Sequence, residues 1–328
     1  MSIGLRALIS FGCLMVAATA ATAQTYPTKP ITIVVTAAPG GVSDVVARAI
    51  GQRLTEAWGQ QVIIENKGGA AHILGAAQVA KADPDGHTLM LAEAGTYVIN
   101  PVLYPKEKLP YELEKDFVPI TGLIRIHHAL IANPALPANS MAELIALAKQ
   151  KPDTVTYGTA GIGSGPHVNF VRLENAAGVK FTPIHYRGAT PALNDVIGNH
   201  TNTMLISVSS ALPAKAEGRV KMLAIGSPQR LPRVSDVPTI AEGANLPGFL
   251  AGTWFGLAAT GGTPRPVVDK INAEVRRILS DAAFRERFLD PQMYESMAKS
   301  PEEFLQDIRA EMQVWARVIR EQKLSIGH

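Results

Sequence analysis

The sequence predicts an α/β protein of two lobes, each a mixed sheet flanked by helices. Short apolar runs rich in Val and Ile alternate with segments whose apolar residues recur at helical spacing. This alternation occurs in two separate series, and turn residues such as Gly, Pro and Asp separate the elements. Because strands joined through helices form parallel pairs, each series predicts one sheet with helices on its faces.

The composition is that of a globular protein large enough for two domains. The chain has 328 residues, of which 47% are hydrophobic and 18% are charged, and its formal net charge is +3. Lys and Arg are scattered along the chain rather than clustered, which argues against a nucleic-acid-binding protein.

Residues 1–23 are predicted to be a signal peptide rather than part of the fold. Arg6 precedes an apolar core rich in Ala, and the small residues Ala21 and Ala23 predict cleavage after Ala23. A membrane anchor is the alternative, but the apolar stretch is shorter than about 18 residues. Cleavage would remove Cys13, the only cysteine, and with it every disulfide, thiolate metal site and cysteine nucleophile. Such an exported chain is expected in a bacterial periplasm.

The first series predicts a βαβαβ unit with a parallel sheet. Gly59 is placed to end the first helix, and the Asp83-Pro84-Asp85-Gly86 turn is placed to end the second. In chain order the predicted elements are the strand "ITIVV", the helix "SDVVARAIGQRLTEAW", the strand "QVIIEN", the helix "AAHILGAAQVAKA" and the strand "HTLMLAE".

An irregular segment, residues 98–126, separates the two series. Its prolines and turn residues suggest a connection on the surface. The strand "FVPITGLI" ends this segment and the strand "HHALIAN" follows it. The chain is expected to cross from one lobe to the other between these two strands. Residues 24–126 are therefore predicted to form the first part of lobe 1, and residues 127–226 to form lobe 2. Residues 227–328 are predicted to return to lobe 1, with the C-terminal helices packing across the lobes.

The second series again alternates strands with helices. Ser140 with Glu143, and Ser300 with Glu303, have the spacing of a capping box at a helix start. The predicted strands are "TVTYGT", "FTPIHY", "TMLIS", "VKMLAIG" and "TWFGLAAT", and the predicted helices are "MAELIALAKQ", "PHVNFVRLENAAG", "PALNDVIG", "ALPAKAEG", "PRPVVDKINAEVRRILSD" and a long final helix.

Ligands of open α/β sheets bind at the carboxyl ends of the strands. Four loops lead from a predicted strand end into a helix start: Ala38–Ser43, Thr159–His167, Arg187–Thr190 and Ser207–Ser210. The first two are rich in small residues, and free backbone N–H groups at a helix N-terminus attract an anion. Since one of these two loops lies in each lobe, a cleft between the lobes would receive donors from both sides. The pair therefore predicts a site for a small anion, most simply a carboxylate.

Several individual residues near these loops have two interpretations. Asp44 could bind a ligand amine, but an acidic residue in a first helical turn usually complements the helix dipole. His167 could donate to a ligand carboxylate or could pack inside the protein. Arg187 could pair with a second carboxylate, although a solvated arginine is the commoner outcome.

The sequence does not contain the motifs of common nucleotide-binding proteins, hydrolases or metalloenzymes. "GTAGIGSG" is neither a dinucleotide-binding fingerprint nor a P-loop, and Ser164 is not in a G-x-S-x-G elbow. His127 and His128 are neighbours on a predicted strand, so they point to opposite faces and make a poor metal pair. We therefore predict no catalysis, no metal and no cofactor. A periplasmic hydrolase of carboxylate esters or amides, and a ligand-sensing partner of a signalling receptor, remain alternatives.

Six motifs in order resemble the Bug or TctC family, the periplasmic solute-binding proteins of tripartite tricarboxylate transporters. The resemblance covers nearly the whole predicted mature chain. The motifs are "YPTKPITIVVTAAPGGVSDVVARAI", "VIIENKGGAAHILGAAQVAKADPDGHTLML", "INPVLYPKEKLPYELEKDFVPIT", "VTYGTAGIGSGPH", "PIHYRGATPALNDVIGNH" and "SDVPTIAEGANLPGF" followed by "TWFGLAATGGTP".

The resemblance implies a Venus-flytrap, type II-like binding protein that captures a small organic carboxylate. It implies delivery to membrane carrier subunits similar to TctA and TctB, and a monomer suits lobe closure. It also implies that the loops Ala38–Ser43 and Thr159–Ser164 hold one ligand carboxylate. The predicted ligand-binding residues are Ala38, Pro39, Gly40, Gly41, Ser43, Asp44, His72, Thr96, Thr159, Ala160, Gly161, Ser164, His167, Arg187 and Ser207.

Two stretches depart from the family pattern. Ala70 to Gly75 stand where the family often has Gly-Gly-Asn-Ile-Gly, so His72 could add a donor or could fill space. The family often has an Asp-Asn pair near Ile206 and Ser207, where this chain has no acid or amide. That missing Asp predicts that a cationic or amino-bearing ligand is less favoured.

Overall fold

A computed structural model describes residues 26–321 of the chain. The predicted signal peptide and its cleavage site lie outside the described residues. The strands are β1 (Ile31–Val35), β2 (Val62–Asn66), β3 (Thr88–Glu93), β4 (Phe117–Ala132), β5 (Thr156–Thr159), β6 (Thr182–His185), β7 (Thr203–Ser207), β8 (Lys221–Ile225), β9 (Gly252–Thr260) and β10 (Glu295–Ser296).

The helices follow the predicted alternation with the strands. They are α1 (Val42–Trp58), α2 (Ile73–Val79), α3 (Asn100–Leu103), α4 (Leu113–Asp116), α5 (Met141–Gln150), α6 (Gly165–Ala177), α7 (Ala189–Ile197), α8 (Val208–Ala216), α9 (Ile240–Gly243), α10 (Arg265–Ser280), α11 (Ala282–Phe284) and α12 (Pro301–Glu321). Within residues 26–321, none of the helices is both long and apolar enough to cross a membrane.

The first sheet has the strand order β2-β1-β3-β9-β4, with the short β10 also paired to β4. The first three strands are parallel, as the βαβαβ pattern predicts, and Ile33 of β1 lies between Ile64 of β2 and Leu89 of β3. Strand β9 runs antiparallel to both β3 and β4, which makes the sheet mixed. The first sheet and the helices packed on it form the first lobe.

The second sheet has the order β8-β4-β7-β5-β6, so β4 belongs to both sheets. Its first part, to His127, pairs with β9, and its last part, from His128, pairs with β7 and β8. The prediction of two separate strands here was wrong, because one strand of 16 residues passes from one lobe into the other without a turn. The second sheet and its helices form the second lobe.

Each sheet is covered by helices on both faces. In the first lobe, α1 and α10 bury apolar residues on one face, and α2 and α12 bury them on the other. In the second lobe, α5 and α6 cover one face and α7 and α8 cover the other. Burial on both faces explains the continuous apolar runs that predicted the strands.

Local signals for helix ends operate as the sequence predicts. Gly59 ends α1 in a left-handed conformation (φ 67°) and donates to the Thr55 carbonyl. Ser300 accepts from the Glu303 N–H while the Glu303 carboxylate accepts from the Ser300 N–H, which is the reciprocal capping box. At α5, Ser140 accepts from Glu143, but the Glu143 carboxylate accepts from Asn139 instead of Ser140.

Helix α2 is shorter than the predicted helix "AAHILGAAQVAKA". Ala70, Ala71 and His72 all have positive φ angles of 46°, 54° and 72°. A right-handed helix cannot include residues with positive φ, so α2 begins only at Ile73. The helical spacing of the apolar residues contains no signal for this left-handed stretch.

Residues 101–116 of the irregular segment are exposed or half-buried apart from Tyr111 and Leu113, which agrees with the predicted surface connection. A π-helix, Gly95–Ile99, leads into α3, and all of its side chains are buried. The Tyr111 hydroxyl donates to the Thr96 carbonyl at 3.0 Å, so the later part of the segment folds back on this helix. Pro101 lies in the first turn of α3, where a missing N–H has no cost.

The lobe boundaries at 126/127 and 226/227 stay predictions, although strand pairing bears on where the chain returns. Thr239 forms an isolated bridge with Ile225, and Ile240 and Phe249 pack in the core of the second lobe. The chain pairs with the first sheet again only from Gly252. These contacts favour a return near residue 251 rather than at 227.

Candidate ligand-binding site

A cavity of about 320 Å³ lies between the two lobes, beside the point where β4 crosses between them. Both lobes contribute to its wall, as expected for a ligand site at the interface of two domains. The lining residues are Ala37, Ala38, Gly40, Gly41, Val42, Ser43, His72, Glu93, Ile126, His128, Ala160, Pro166, Gly188, Ala189, Thr190, Leu193, Ile206, Ser207, Ser210, Thr253 and Phe255.

The N-terminus of α1 forms one side of the cavity. Strand β1 ends at Val35, and the chain turns through Gly40, whose φ of 82° suits glycine, to the N-cap residue Gly41. The N–H groups of Val42 and Ser43 make no hydrogen bond to another described residue, because the first N–H groups of a helix have no intrahelical partner. These N–H groups and the positive end of the helix dipole give the cavity an anion-binding surface.

Asp44 holds this loop rather than facing the cavity. Its Oδ2 accepts from the Gly40 N–H at 2.9 Å, and its Oδ1 lies 2.9 Å from the Arg48 guanidinium. Burial alone would raise the pKa of Asp44, but the hydrogen bonds from Arg48, Gly40 and Asn66 outweigh burial and hold that pKa below its usual value. Asp44 therefore carries the structural role that the sequence favoured for it.

Two further helix N-termini reach the cavity from the second lobe. Gly188 caps α7 with a φ of 146°, and Ala189 and Thr190 of the first turn of α7 line the cavity. A Cβ built on Gly188 would lie 3.6 Å from the Ala38 Cβ, so this turn faces the α1 loop across the cleft. Ser207, the N-cap of α8, lines the cavity as well.

The second glycine loop, Thr159–Ser164, uses several of its polar groups within the protein. The Thr159 hydroxyl accepts from the Gly161 N–H at 3.2 Å, and Ser164 Oγ donates to the Gly161 carbonyl at 2.7 Å. The Gly163 N–H donates to His167 Nδ1 at 3.1 Å. From this loop, only Ala160 lines the cavity.

The same loop packs against the first lobe instead. A Cβ built on Gly95 would lie 2.9 Å from the Gly163 carbonyl oxygen, and one on Gly163 would lie 3.1 Å from Asn100 Oδ1. Glycine is needed here because two backbones approach each other closely. The joint role of the two glycine loops in holding a ligand stays a prediction, and the α7 turn lies opposite the α1 loop.

His72 and Glu93 form a buried polar wall of the cavity. His72 Nδ1 lies 2.7 Å from the Thr36 carbonyl oxygen, which can only accept, so Nδ1 carries the proton. Its Nε2 lies 3.7 Å from Glu93 Oε2 and has no hydrogen-bond partner within the described residues. Glu93 Oε1 accepts from the Gly165 N–H at 3.0 Å.

Sequence reasoning missed Glu93, although a signal was present. Glu93 is the last residue of β3, and the carboxyl ends of such strands are where ligands bind. The residue stood inside the predicted strand "HTLMLAE", so it was not counted with the loops. It is 8% exposed, which is unusual for a carboxylate that has no Lys or Arg as a partner within residues 26–321.

The remaining wall is apolar apart from His128 and Thr253, which sequence reasoning also missed. His128 lies at the crossing point of β4, and its burial, with His127 nearby, lowers its pKa to about 3. Thr253 Oγ1 is buried and has no partner among the described residues. The apolar side chains that could contact the body of a ligand are Ile126, Leu193, Ile206 and Phe255.

Four other predicted residues lie away from the cavity lining. Pro39 is exposed beside the α1 loop, and Arg187 is exposed before α7. Thr96 is fully buried in the π-helix behind β3. His167 packs against His185 and accepts from Gly163, and burial lowers its pKa to about 4, so it is not a cationic donor.

The cavity has little charge of its own. Of the residues that the structure describes, no Lys or Arg lines it, and no group of His, Cys, Asp and Glu has the arrangement of a metal site. Its polar groups are helix N-termini, serine and threonine hydroxyls, two histidines and one carboxylate. This arrangement can bind a small anion at the α1 side without chemistry on it.

Solved structures with the same fold include two that contain a carboxylate. The periplasmic binding protein BugD matches with a TM-score of 0.84 and 33% identity over 92% of this chain and 99% of its own. Rpa4515 of R. palustris, solved with adipate, matches with a TM-score of 0.86, 30% identity and 92% and 99% coverage. MatC of Rhodopseudomonas palustris, solved with malate, matches with a TM-score of 0.83, 35% identity and 90% and 100% coverage.

The family described as "Tripartite tricarboxylate transporter family receptor" matches residues 46–324, which is most of the chain. The matched range contains α7, α8 and Glu93, which contribute to the cavity, and begins at Val46, just after the residues of the α1 N-terminus that line it. Family, fold and cavity are therefore consistent with one another: the chain belongs to the tripartite tricarboxylate transporter receptor family, whose members are solute-binding proteins.

Proposed function

We propose that this protein captures a small organic carboxylate in the cavity between its lobes and delivers it to a tripartite carrier in the membrane. The observation that carries the proposal is the convergence of three helix N-termini, those of α1, α7 and α8, on one cavity. Each contributes unpaired N–H groups and a partial positive charge, so an anion is bound without a cationic side chain.

The structures that match the chain support a carboxylate ligand. Two of them were solved with adipate and with malate, and both ligands are small dicarboxylic acids. Some of the residues predicted from the sequence line the cavity, and we take these as the ligand contacts. They are Ala38, Gly40, Gly41, Ser43, His72, Ala160 and Ser207.

Lobe closure is the proposed means of capture. Residues 24–126 and 127–226 would move relative to each other about the β4 crossing, with the second crossing near Gly252. The proposed location is the periplasm after cleavage behind Ala23, and the proposed partners are TctA-like and TctB-like carrier subunits that receive ligand from a monomer. Delivery to a signalling receptor instead would leave the same cavity in use.

The hydrolase alternative has no observation in its favour. An enzyme of this class needs a nucleophile with a base in reach at the bound substrate. Ser164 Oγ donates to the Gly161 carbonyl and does not line the cavity. His128 does line it, but a pKa of about 3 makes its imidazole a weak base.

Thermal unfolding of residues 24–328 against a panel of acids tests the proposal. The panel holds mono-, di- and tricarboxylates, aromatic acids and acidic amino acids, with the primary amide of each acid as its matched control. An acid at 100 times its dissociation constant should stabilise the protein by about 2.7 kcal/mol, while its amide should do much less. A panel in which no acid raises the midpoint, or in which amides act as well as acids, contradicts the proposal.

A further inference from the structure

The wall of the cavity formed by His72 and Glu93 contains a buried carboxylate that no Lys or Arg of residues 26–321 neutralises. His72 Nδ1 donates to the Thr36 carbonyl, which fixes the ring and directs Nε2 toward Glu93 Oε2 at 3.7 Å. At that distance His72 Nε2 has no hydrogen-bond partner among the described residues. A buried carboxylate oxygen without a donor is unfavourable, and a donor on the ligand would relieve it.

Glu93 is held in place, so it cannot turn away from the cavity easily. Its Oε1 accepts from the Gly165 N–H at the first turn of α6, and the residue is 8% exposed. Thr253 Oγ1 would lie 3.3 Å from a Cβ on Gly165, so this unpartnered hydroxyl flanks the same place. The carboxylate is therefore a fixed, buried feature of the binding site.

The charge of this wall is unsuited to a second ligand carboxylate. No Lys or Arg among residues 26–321 lines the cavity, so nothing there would compensate two carboxylates close together. Like charges placed together in a buried site cost enough free energy to exclude a ligand. An uncharged hydroxyl or an ammonium group would instead donate to Glu93.

We propose that Glu93, with His72, determines specificity: the ligand carries its carboxylate at the α1 side and a hydrogen-bond donor, hydroxyl or ammonium, at its other end. This inference rests on the proposed function and deepens it. It reverses the expectation from the sequence that an amino-bearing ligand is less favoured, because Glu93 supplies the acid that is missing near Ser207.

Calorimetric titration with four acids of equal chain length tests the inference: ω-hydroxyhexanoate, ω-aminohexanoate, hexanedioate and hexanoate. The wild-type protein should bind an acid with a distal donor at least about tenfold more tightly than hexanedioate. Hexanedioate binding as tightly as the donor-bearing acids overturns the inference. This comparison needs no variant, so it is decisive even if a substituted protein fails to fold.

The Glu93→Gln variant tests whether Glu93 causes the preference for acids with a distal hydrogen-bond donor. Its amide keeps an acceptor for the Gly165 N–H and removes the negative charge, so the wall no longer repels a second ligand carboxylate. Binding of hexanedioate should strengthen by about tenfold, and binding of ω-aminohexanoate should weaken more than that of ω-hydroxyhexanoate. An unchanged preference in Glu93→Gln overturns the role of Glu93.

The matched control is Glu286→Gln, which makes the same change of charge at an exposed position outside the cavity. It should leave all four affinities as in the wild type. Acids that bind without regard to their distal group contradict this inference alone and leave the proposed function standing. If no acid of this series or of the broader panel binds, the proposed function fails and the inference fails with it.

Discussion

Glu93 Oε1 of the first lobe accepts a hydrogen bond of 3.0 Å from the backbone N–H of Gly165 in the second lobe. Gly165 is the first residue of α6, so a carboxylate from one lobe caps a helix of the other. The bond joins the lobes beside the cavity and occupies an N–H group that would otherwise be available to a ligand anion.

Replacing Gly165 by alanine should weaken this contact between the lobes. The added Cβ would overlap Glu93 Oε1 and would lie 3.1 Å from the Thr253 Cβ. We expect a loss of about 1–3 kcal/mol in the free energy of unfolding, the usual cost of overpacking. Denaturant unfolding measures the loss, and small-angle scattering should show a more open shape.

Gly41→Ala is the control for this measurement. A Cβ on Gly41 would have only the Ala38 carbonyl within contact range, at 3.8 Å, so the stability of the ligand-free protein should stay close to that of the wild type. Equal stability and shape for Gly165→Ala and Gly41→Ala would show that the Glu93 contact does not hold the lobes together.

Val42→Pro should remove one anion-binding donor without disturbing α1. Val42 is the first residue of the helix, where proline is well tolerated, and Gly41 has the extended conformation (φ −81°, ψ 174°) that proline requires before it. The lost N–H should weaken carboxylate binding by about tenfold, as the loss of a charge-assisted hydrogen bond does. Calorimetry with the tightest acid of the panel measures the change.

Val42→Ala separates the backbone from the side chain in that experiment. It shortens the side chain at the same position and keeps the N–H, so it should retain most of the affinity. Equal weakening in the alanine and proline variants would indicate that the Val42 side chain, not the helix N-terminus, contributes to binding.

Asp44→Asn should destabilise the α1 loop in a pH-dependent way. The pKa of Asp44 is below its usual value of 3.8, so its carboxylate contributes stability above the unfolded-state pKa, and this contribution is lost as pH falls through the folded-state pKa. The variant should therefore be less stable by about 1 kcal/mol at neutral pH. The difference should shrink in unfolding experiments at decreasing pH, and a constant difference down to pH about 2 would contradict the assignment.

The buried His128 should make the protein less stable as pH decreases. Its folded-state pKa is about 3, so between pH 6.5 and pH 3 the unfolded chain binds a proton here that the folded protein does not. From pH 7 to pH 5, His128→Gln should lose about 2 kcal/mol less stability than the wild type. Denaturant unfolding at the two pH values measures this.

His200→Gln is the matched control, because His200 is exposed on the second lobe. Its loss of stability between the two pH values should equal that of the wild type. If His128→Gln also behaves like the wild type, His128 takes up its proton in the folded protein and is not held neutral by burial.

The order of strands and helices was predictable because its signals are local. The apolar run of β1 and the left-handed Gly59 after α1 act within a few residues, and both are confirmed. The continuous strand β4 was missed because the interactions that form it are not local. Its passage between lobes depends on pairing with β7 and β9, whose residues are far away in the sequence.

The sequence by itself determined the α/β fold, the family and the helix N-terminus of α1 that lines the cavity, because alternating apolar runs, helix caps and family motifs each involve residues that are close together in the chain. The tertiary structure alone decided which N–H groups stay available. Gly165 donates to Glu93, and the Gly161 loop packs against the first lobe, while α7 takes the place opposite α1. The physical reason is that a donor is free only if nothing else packs on it, and packing between lobes joins residues that are distant in the chain.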